Sequence, residues 1–150
     1  MIGIYEHGII AMLKLSDKSA SSLESWCQEN KLPCLEKEYL HCTILFSRGI
    51  VEHLSDLNGL AVLIPARIAG WRKFKTALVL ELYSPRITLL HEWMIRQGGT
   101  HDFPEYIAHT SITYDWKTSE LPTAIPNIDL EFDQILIKPI NPNYSIGSSS

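Results

Sequence analysis

The chain repeats itself at a step of 68 residues, and that repeat limits the folds open to it more than any other feature. "GIIAMLKL", residues 8–15, is an apolar, β-branched run of strand length, and "TALVLELY", residues 76–83, is a second one. Helix signatures follow both. In "SDKSASSLESWCQENK", Ser16 or Asp17 is placed to cap a helix, and Ala20, Leu23, Trp26 and Cys27 recur at helical spacing. In "SPRITLLHEWMIRQGG", Ser84 is the cap, Pro85 takes the first helical position, Ile87, Leu90 and Met94 form the stripe, and Gly98 and Gly99 supply the stop. A third pair of matching segments completes the repeat: "HCTILFS", residues 41–47, and "HTSITYD", residues 109–115. Each histidine stands 25 residues after its serine, from Ser16 to His41 and from Ser84 to His109.

A strand, a helix and a strand read twice predict an α+β chain of two similar lobes, repeated over 8–47 and 76–115 within one domain spanning 1–140. Each lobe is expected to be a small, mostly antiparallel sheet with its helix outside, and the pair to enclose a central cleft about a pseudo-two-fold axis. Isolated hairpins are marginal, so the lobes must pack on each other. "LAVLIPARIAGWRKFK" adds one or two strands interrupted at Pro65 and Gly70, and "IDLEFDQILIKPI" adds another. The polar, Gly- and Ser-rich residues 141–150 read as a flexible tail.

Charge narrows the partners. A formal net charge of −4 lacks the basic footprint that duplex nucleic acid requires, while a small anionic ligand held by a few residues stays open. Cys27, Cys34 and Cys42 are odd in number and contain no CxxC pair, which favours a reducing, cytoplasmic setting over a disulfide framework. Cys27, Cys34 and His41 fall at intervals of seven, but structural zinc sites use closer ligand pairs and a fourth ligand, so no metal is expected. "MIGIYEHGII" has no basic start and carries Glu6 and His7, unlike a signal peptide, and no apolar run reaches the roughly 20 residues of a membrane span.

The chemistry rests on the histidines. Along a strand, residues i and i+2 share a face, so His41 and Thr43 point together with Leu45, and His109 and Ser111 point together with Thr113. Two lobes related by a two-fold axis bring both imidazole and hydroxyl pairs to one cleft. Phosphodiester cleavage needs a base for the attacking oxygen, an acid for the leaving oxygen and donors to the nonbridging oxygens. Histidine, with an ordinary pKa of about 6.5, fills the first two roles, and the hydroxyls of Thr43 and Ser111 fill the third. Six histidines produce about one H-x-[ST] by chance, and "HLS" at His53 is such a match, outside the repeat. Register within the repeat, not the motif alone, singles out His41 and His109.

With those residues in view, the chain resembles the two-histidine phosphoesterase superfamily, which carries two H-x-[ST] motifs on a bilobal pseudo-symmetric fold. "HCTILFS" and "DFPEYIAHTSITYDW" most resemble its phage anti-CBASS phosphodiesterases, which degrade cyclic di- and trinucleotide messengers of bacterial antiviral signalling, such as cGAMP. The resemblance implies that His41 and His109 are the acid and base, with neither role assigned, and that Thr43 and Ser111 hold the phosphate. It further implies a metal- and cofactor-independent reaction through the ribose 2′-hydroxyl, in the cytoplasm of an infected host cell. Trp71, in "AGWRKF", matches an aromatic residue that stacks on a nucleobase. The chain departs from the family at Ile10, where an aromatic contact is usual, and in "IKPINPNY", where an acidic residue is usual. The alternatives are an RNA 2′,3′-cyclic phosphodiesterase and a non-catalytic nucleotide sponge.

Overall fold

Both serines cap helices. The computed structural model describes residues 7–49, 51–101 and 105–140. Ser16 Oγ accepts the Ser19 N–H at 3.2 Å and Ser84 Oγ accepts the Ile87 N–H at 3.3 Å, closing the N-termini of α1 (Asp17–Glu29) and α2 (Pro85–Arg96). Ahead of the caps run β1 (Ile9–Leu15) and β4 (Ala77–Tyr83); after the helices come β2 (His41–Ser47) and β5 (His109–Thr113). The segments that follow these form β3 (Ala61–Phe74) and β6 (Leu130–Pro139), with short 3₁₀ turns at Lys37–Tyr39 and Glu52–Leu57. The expected tail, residues 141–150, lies outside the described residues.

The strands form a closed antiparallel sheet in the order β1-β2-β5-β4-β3-β6. It consists of two three-stranded halves, β6-β1-β2 and β3-β4-β5, so the two small sheets expected from the repeat are joined at two seams. One seam is slight, the single pair Cys42↔Thr110 between β2 and β5. The other runs between β3 and β6. β3 is one long strand that changes partner: Ala61–Ala66 face β6, and Arg67–Phe74 pair with β4. Pro65, which lacks a donor, sits just before this exchange, and the ladder shifts register beside Gly70.

The helices cover the outer face of this sheet. One buried cluster joins Leu13 and Leu15 of β1 to Ala20, Leu23 and Cys27 of α1, and Leu80 and Leu82 of β4 to Ile87 and Met94 of α2. Burying a side chain such as Leu23 contributes about 1.5–3 kcal/mol, and burial of this kind along the whole apolar stripe, rather than propensity, is what stabilises a helix this short. No helix among the described residues is long and apolar enough to cross a membrane. The outer layer leaves the inner face of the sheet to the site.

Gly8 locks the entrance to β1. Its φ is +102°, and a Cβ there would run into the Ser47 carbonyl oxygen on β2. Gly8→Ala is therefore expected to destabilise the fold by about 2 kcal/mol or more. Urea unfolding checks this, and an unchanged midpoint would contradict the close approach.

Candidate active site

Cross-strand register decides which side chains face inward. Lys14 opposes His41 and Met12 opposes Thr43 on β1 and β2; Glu81 opposes His109 and Val79 opposes Ser111 on β4 and β5. Leu13 and Leu80 belong to the helix-covered cluster, so these alternate residues point the other way. His41, Thr43, His109 and Ser111 thus share the inner face. Both strands then bulge, because the ladders skip Ile44 and Ile112, again 68 apart. The bulge sends Leu45 to the outer cluster and sets Phe46 inward opposite Ile10; Thr113 pairs with Leu78. Simple alternation had put Leu45 and Thr113 with the histidines, and the extra residue in each strand reverses both.

The slight seam arranges the four side chains crosswise. Cys42↔Thr110 is an outward antiparallel pair, so one step either way sets His41 beside Ser111 and Thr43 beside His109. Each histidine thereby meets the hydroxyl of the other half. Beyond that pair β2 has lost its partner strand, and side chains take over its edge. Tyr106 donates its hydroxyl to the Thr43 carbonyl at 2.8 Å, His91 Nδ1 lies 2.6 Å from the Ile44 carbonyl, and the Phe46 N–H donates to His101 Nδ1 at 3.2 Å. His91 and Tyr106 stack with centroids 4.0 Å apart. These contacts hold the backbone of Thr43 and its bulge without a strand. In the lead-in to the second motif, "FPEYIAHTSITY", Phe103 and Pro104 lie outside the described residues.

Both imidazoles are largely buried, each with only part of its ring exposed. His109 Nδ1 is 2.7 Å from the Ile107 carbonyl oxygen, which only accepts, so Nδ1 carries a proton and Nε2 is the open base nitrogen of the neutral ring. His41 makes the matching backbone hydrogen bond to Tyr39, also two residues before it. Burial pushes His41 down to about 4, helped by the positive charge of Lys138 and by His109, against the backbone bond that favours its charged form. Burial also lowers His109, where Arg72 acts in the same direction and Glu81 opposes it. Arg72 Nε and Glu81 Oε1 are paired at 2.7 Å, and the Phe74 ring meets His109 edge-on at 5.0 Å.

Ser111 Oγ is buried and has no hydrogen-bond partner among the described residues. An unpaired buried hydroxyl costs about 1–3 kcal/mol, a cost that a bound acceptor oxygen would relieve. No three His, Cys, Asp or Glu side chains among the described residues are grouped to hold a metal ion.

Trp71 stands apart. It opposes Leu80, not Glu81, so it lies on the outer face; its ring centroid is 6.2 Å from that of Trp26, and Nε1 donates to the Ala124 carbonyl at 2.8 Å. The register shift between Ile68 and Gly70 sets this parity, which turns Arg72 and Phe74 inward instead. Arg72, Phe74, Glu81 and Lys138 are the inner-face residues the sequence reading missed, and alternation within "GWRKF" marks the first two only once the bulge is placed. His53 is exposed in the 3₁₀ turn Glu52–Leu57.

A family model described as anti-CBASS protein Acb1 matches residues 7–146. The protein of that name from Salmonella phage S16 is 24% identical over 143 residues, covering 94% of this chain and 93% of the phage protein. Its namesake from Sphingomonas paeninsulae is 36% identical over 97 residues, which make up 58% of this chain but 16% of that longer protein. Among solved structures, E. coli LigT complexed with NADP+ superposes with a TM-score of 0.57 at 12% identity, over 86% of this chain and 85% of LigT. That last likeness is one of fold alone.

Proposed function

The chain belongs to the anti-CBASS protein Acb1 family, and from that premise we propose that it is a phosphodiesterase opening the 3′–5′ linkages of cyclic di- and trinucleotide messengers such as cGAMP. Its role is to blunt CBASS signalling in the cytoplasm of the host cell. The observation that carries the chemistry is the crosswise set of His41, Ser111, Thr43 and His109 on one inner face, with the Ser111 hydroxyl unpaired.

A cyclic linkage seated between the rings presents its ribose 2′-hydroxyl to one imidazole and its leaving 5′-oxygen to the other. Attack then gives a 2′,3′-cyclic phosphate end, and water opens that end with the proton roles exchanged. Ser111 and Thr43 donate to the nonbridging oxygens, where charge accumulates. Burial and the groups around each ring divide the roles. His41, lowered by burial and then by the charge of Lys138, is held neutral and serves as the base; His109, lowered by burial but supported by its Ile107 hydrogen bond, with Arg72 and Glu81 opposing each other, is the ring better able to keep a proton and serves as the acid.

A sign follows for the pH dependence. As pH falls through about 4, His41 gains a proton and stops accepting one; as pH rises through the lowered pKa of His109, the acid is lost. The profile of kcat/KM, which reports the free enzyme, is expected to peak on the acid side of about 6.5. A maximum above pH 7.5 would contradict it. The activity itself is tested by incubating the protein with cyclic dinucleotides, cyclic trinucleotides and RNA bearing 2′,3′-cyclic phosphate ends, in EDTA. Turnover of the cyclic substrates is expected. Turnover of RNA ends alone points to the RNA enzyme, tight binding without turnover to the sponge, and abolition by EDTA to a metal-dependent reaction.

A further inference from the structure

The chain is acidic overall, with a formal charge of −4, yet register places four cations inward: Lys14 on β1, Arg67 and Arg72 on β3 and Lys138 on β6. Their surroundings differ, and Arg67, opposite Tyr83 and beyond the Glu81 row, is absent from the influences on either histidine. Lys14 Nζ turns to the Leu15 carbonyl at 3.3 Å and to the Asp17 carboxylate at 3.4 Å. Arg72 is paired with Glu81 at 2.7 Å, beside His109. Lys138 has no carboxylate partner among the described residues.

Lys138 lies opposite Ile10, and Ile10 lies opposite Phe46, so the three form an inward row across β6, β1 and β2. Its outward neighbour Ile137 belongs to the helix-covered cluster, which fixes the direction of Lys138. From there its charge reaches His41, where it is the largest influence after burial, and it is absent from the influences on His109. Around the two histidines the inner face is therefore polarised. An uncompensated ammonium stands on the His41 side, and a neutralised ion pair with the Phe74 ring stands on the His109 side.

A cyclic oligonucleotide carries at least two phosphates. When one linkage occupies the gap between the histidines, another anionic phosphate must leave the gap on one side. The Arg72–Glu81 pair offers it no net charge, and Lys138 does. We infer that Lys138 is a specificity residue that holds a phosphate other than the one being cleaved, and so selects cyclic oligonucleotides over mononucleotide cyclic phosphates. The inference rests on the phosphodiesterase reading and adds a second anion subsite, on β6, to the same face.

The test uses the full chain and two ligands. KM and kcat are measured for a 3′,3′-cyclic dinucleotide in wild type, Lys138→Gln and Lys138→Arg, and 2′,3′-cyclic AMP, with its single phosphate, is titrated as a competitor. Assayed at about pH 6.5, where burial keeps His41 neutral without the ammonium, Lys138→Gln is expected to raise KM for the dinucleotide about tenfold with kcat within about threefold, as loss of one charge-assisted contact implies. The inhibition constant of 2′,3′-cyclic AMP should stay within about twofold, and Lys138→Arg should recover most of the lost affinity. Because Lys138 is exposed, the melting temperature should be unmoved. Unchanged KM in Lys138→Gln overturns the inference, as does a parallel loss for both ligands, which would put the ammonium on the reacting phosphate. Absence of dinucleotide turnover in the wild type overturns the phosphodiesterase reading itself, and that is seen before any variant is compared.

Discussion

His41→Ala and His109→Ala each lose about 10³-fold or more in kcat on a cyclic dinucleotide, within the range that general acid–base groups supply. The two rings act as a pair, so the double variant falls little further than either single one. Both rings lie at the open inner face rather than in the helix-covered cluster, and thermal unfolding should stay within a few degrees of wild type. The electrostatic coupling provides an independent readout. The positive form of His109 lowers His41, so His109→Ala should shift the His41 titration, followed by its imidazole proton resonances, to higher pH. Either single variant keeping more than about a tenth of kcat contradicts the paired roles.

Ser111→Ala separates activity from stability, and the second large effect lies there. In most buried sites, removing a hydroxyl breaks a hydrogen bond and weakens the fold. Ser111 Oγ has no partner to lose among the described residues, so the alanine protein should be as stable as wild type or more so. Its kcat should nevertheless fall about 10²-fold, the scale for deleting one donor to a developing oxyanion. Thr43→Val, on the facing strand, should lose kcat to a similar extent. If the Ser111→Ala melting temperature and kcat fall together, the hydroxyl holds the fold rather than the phosphate.

Local chemistry and long-range register differed in how far they could be read from the residues alone. The serine caps, Pro85 and the apolar stripes each act within one helical turn, and they located both helices. The 68-residue step located both histidines. It failed by one residue in β4, because Tyr83 is an extra position between Leu82 and Ser84, so Glu81, not Leu82, is the counterpart of Lys14. Parity across a bulge depends on the partner strand. Simple alternation therefore sets Leu45 and Thr113 with the histidines and Phe46 away from them, each on the wrong face, and leaves Arg72 and Phe74 unnoticed. Lys138 could not be found by motif, since its place on the inner face arises only when β6 returns to pair with β1. The clamp of His91, His101 and Tyr106 on β2 likewise replaces a missing strand, and no pattern in the sequence announces a missing strand.

The most direct measurement follows the ring-opening itself. A 3′,3′-cyclic dinucleotide is incubated with the protein in EDTA and sampled over time by chromatography coupled to mass spectrometry. Attack by the 2′-hydroxyl conserves every atom, so the first product should elute apart from the substrate at unchanged mass, as a linear dinucleotide ending in a 2′,3′-cyclic phosphate. That species should then gain one water. A substrate that stays intact, or a first product already heavier by one water, would contradict the account.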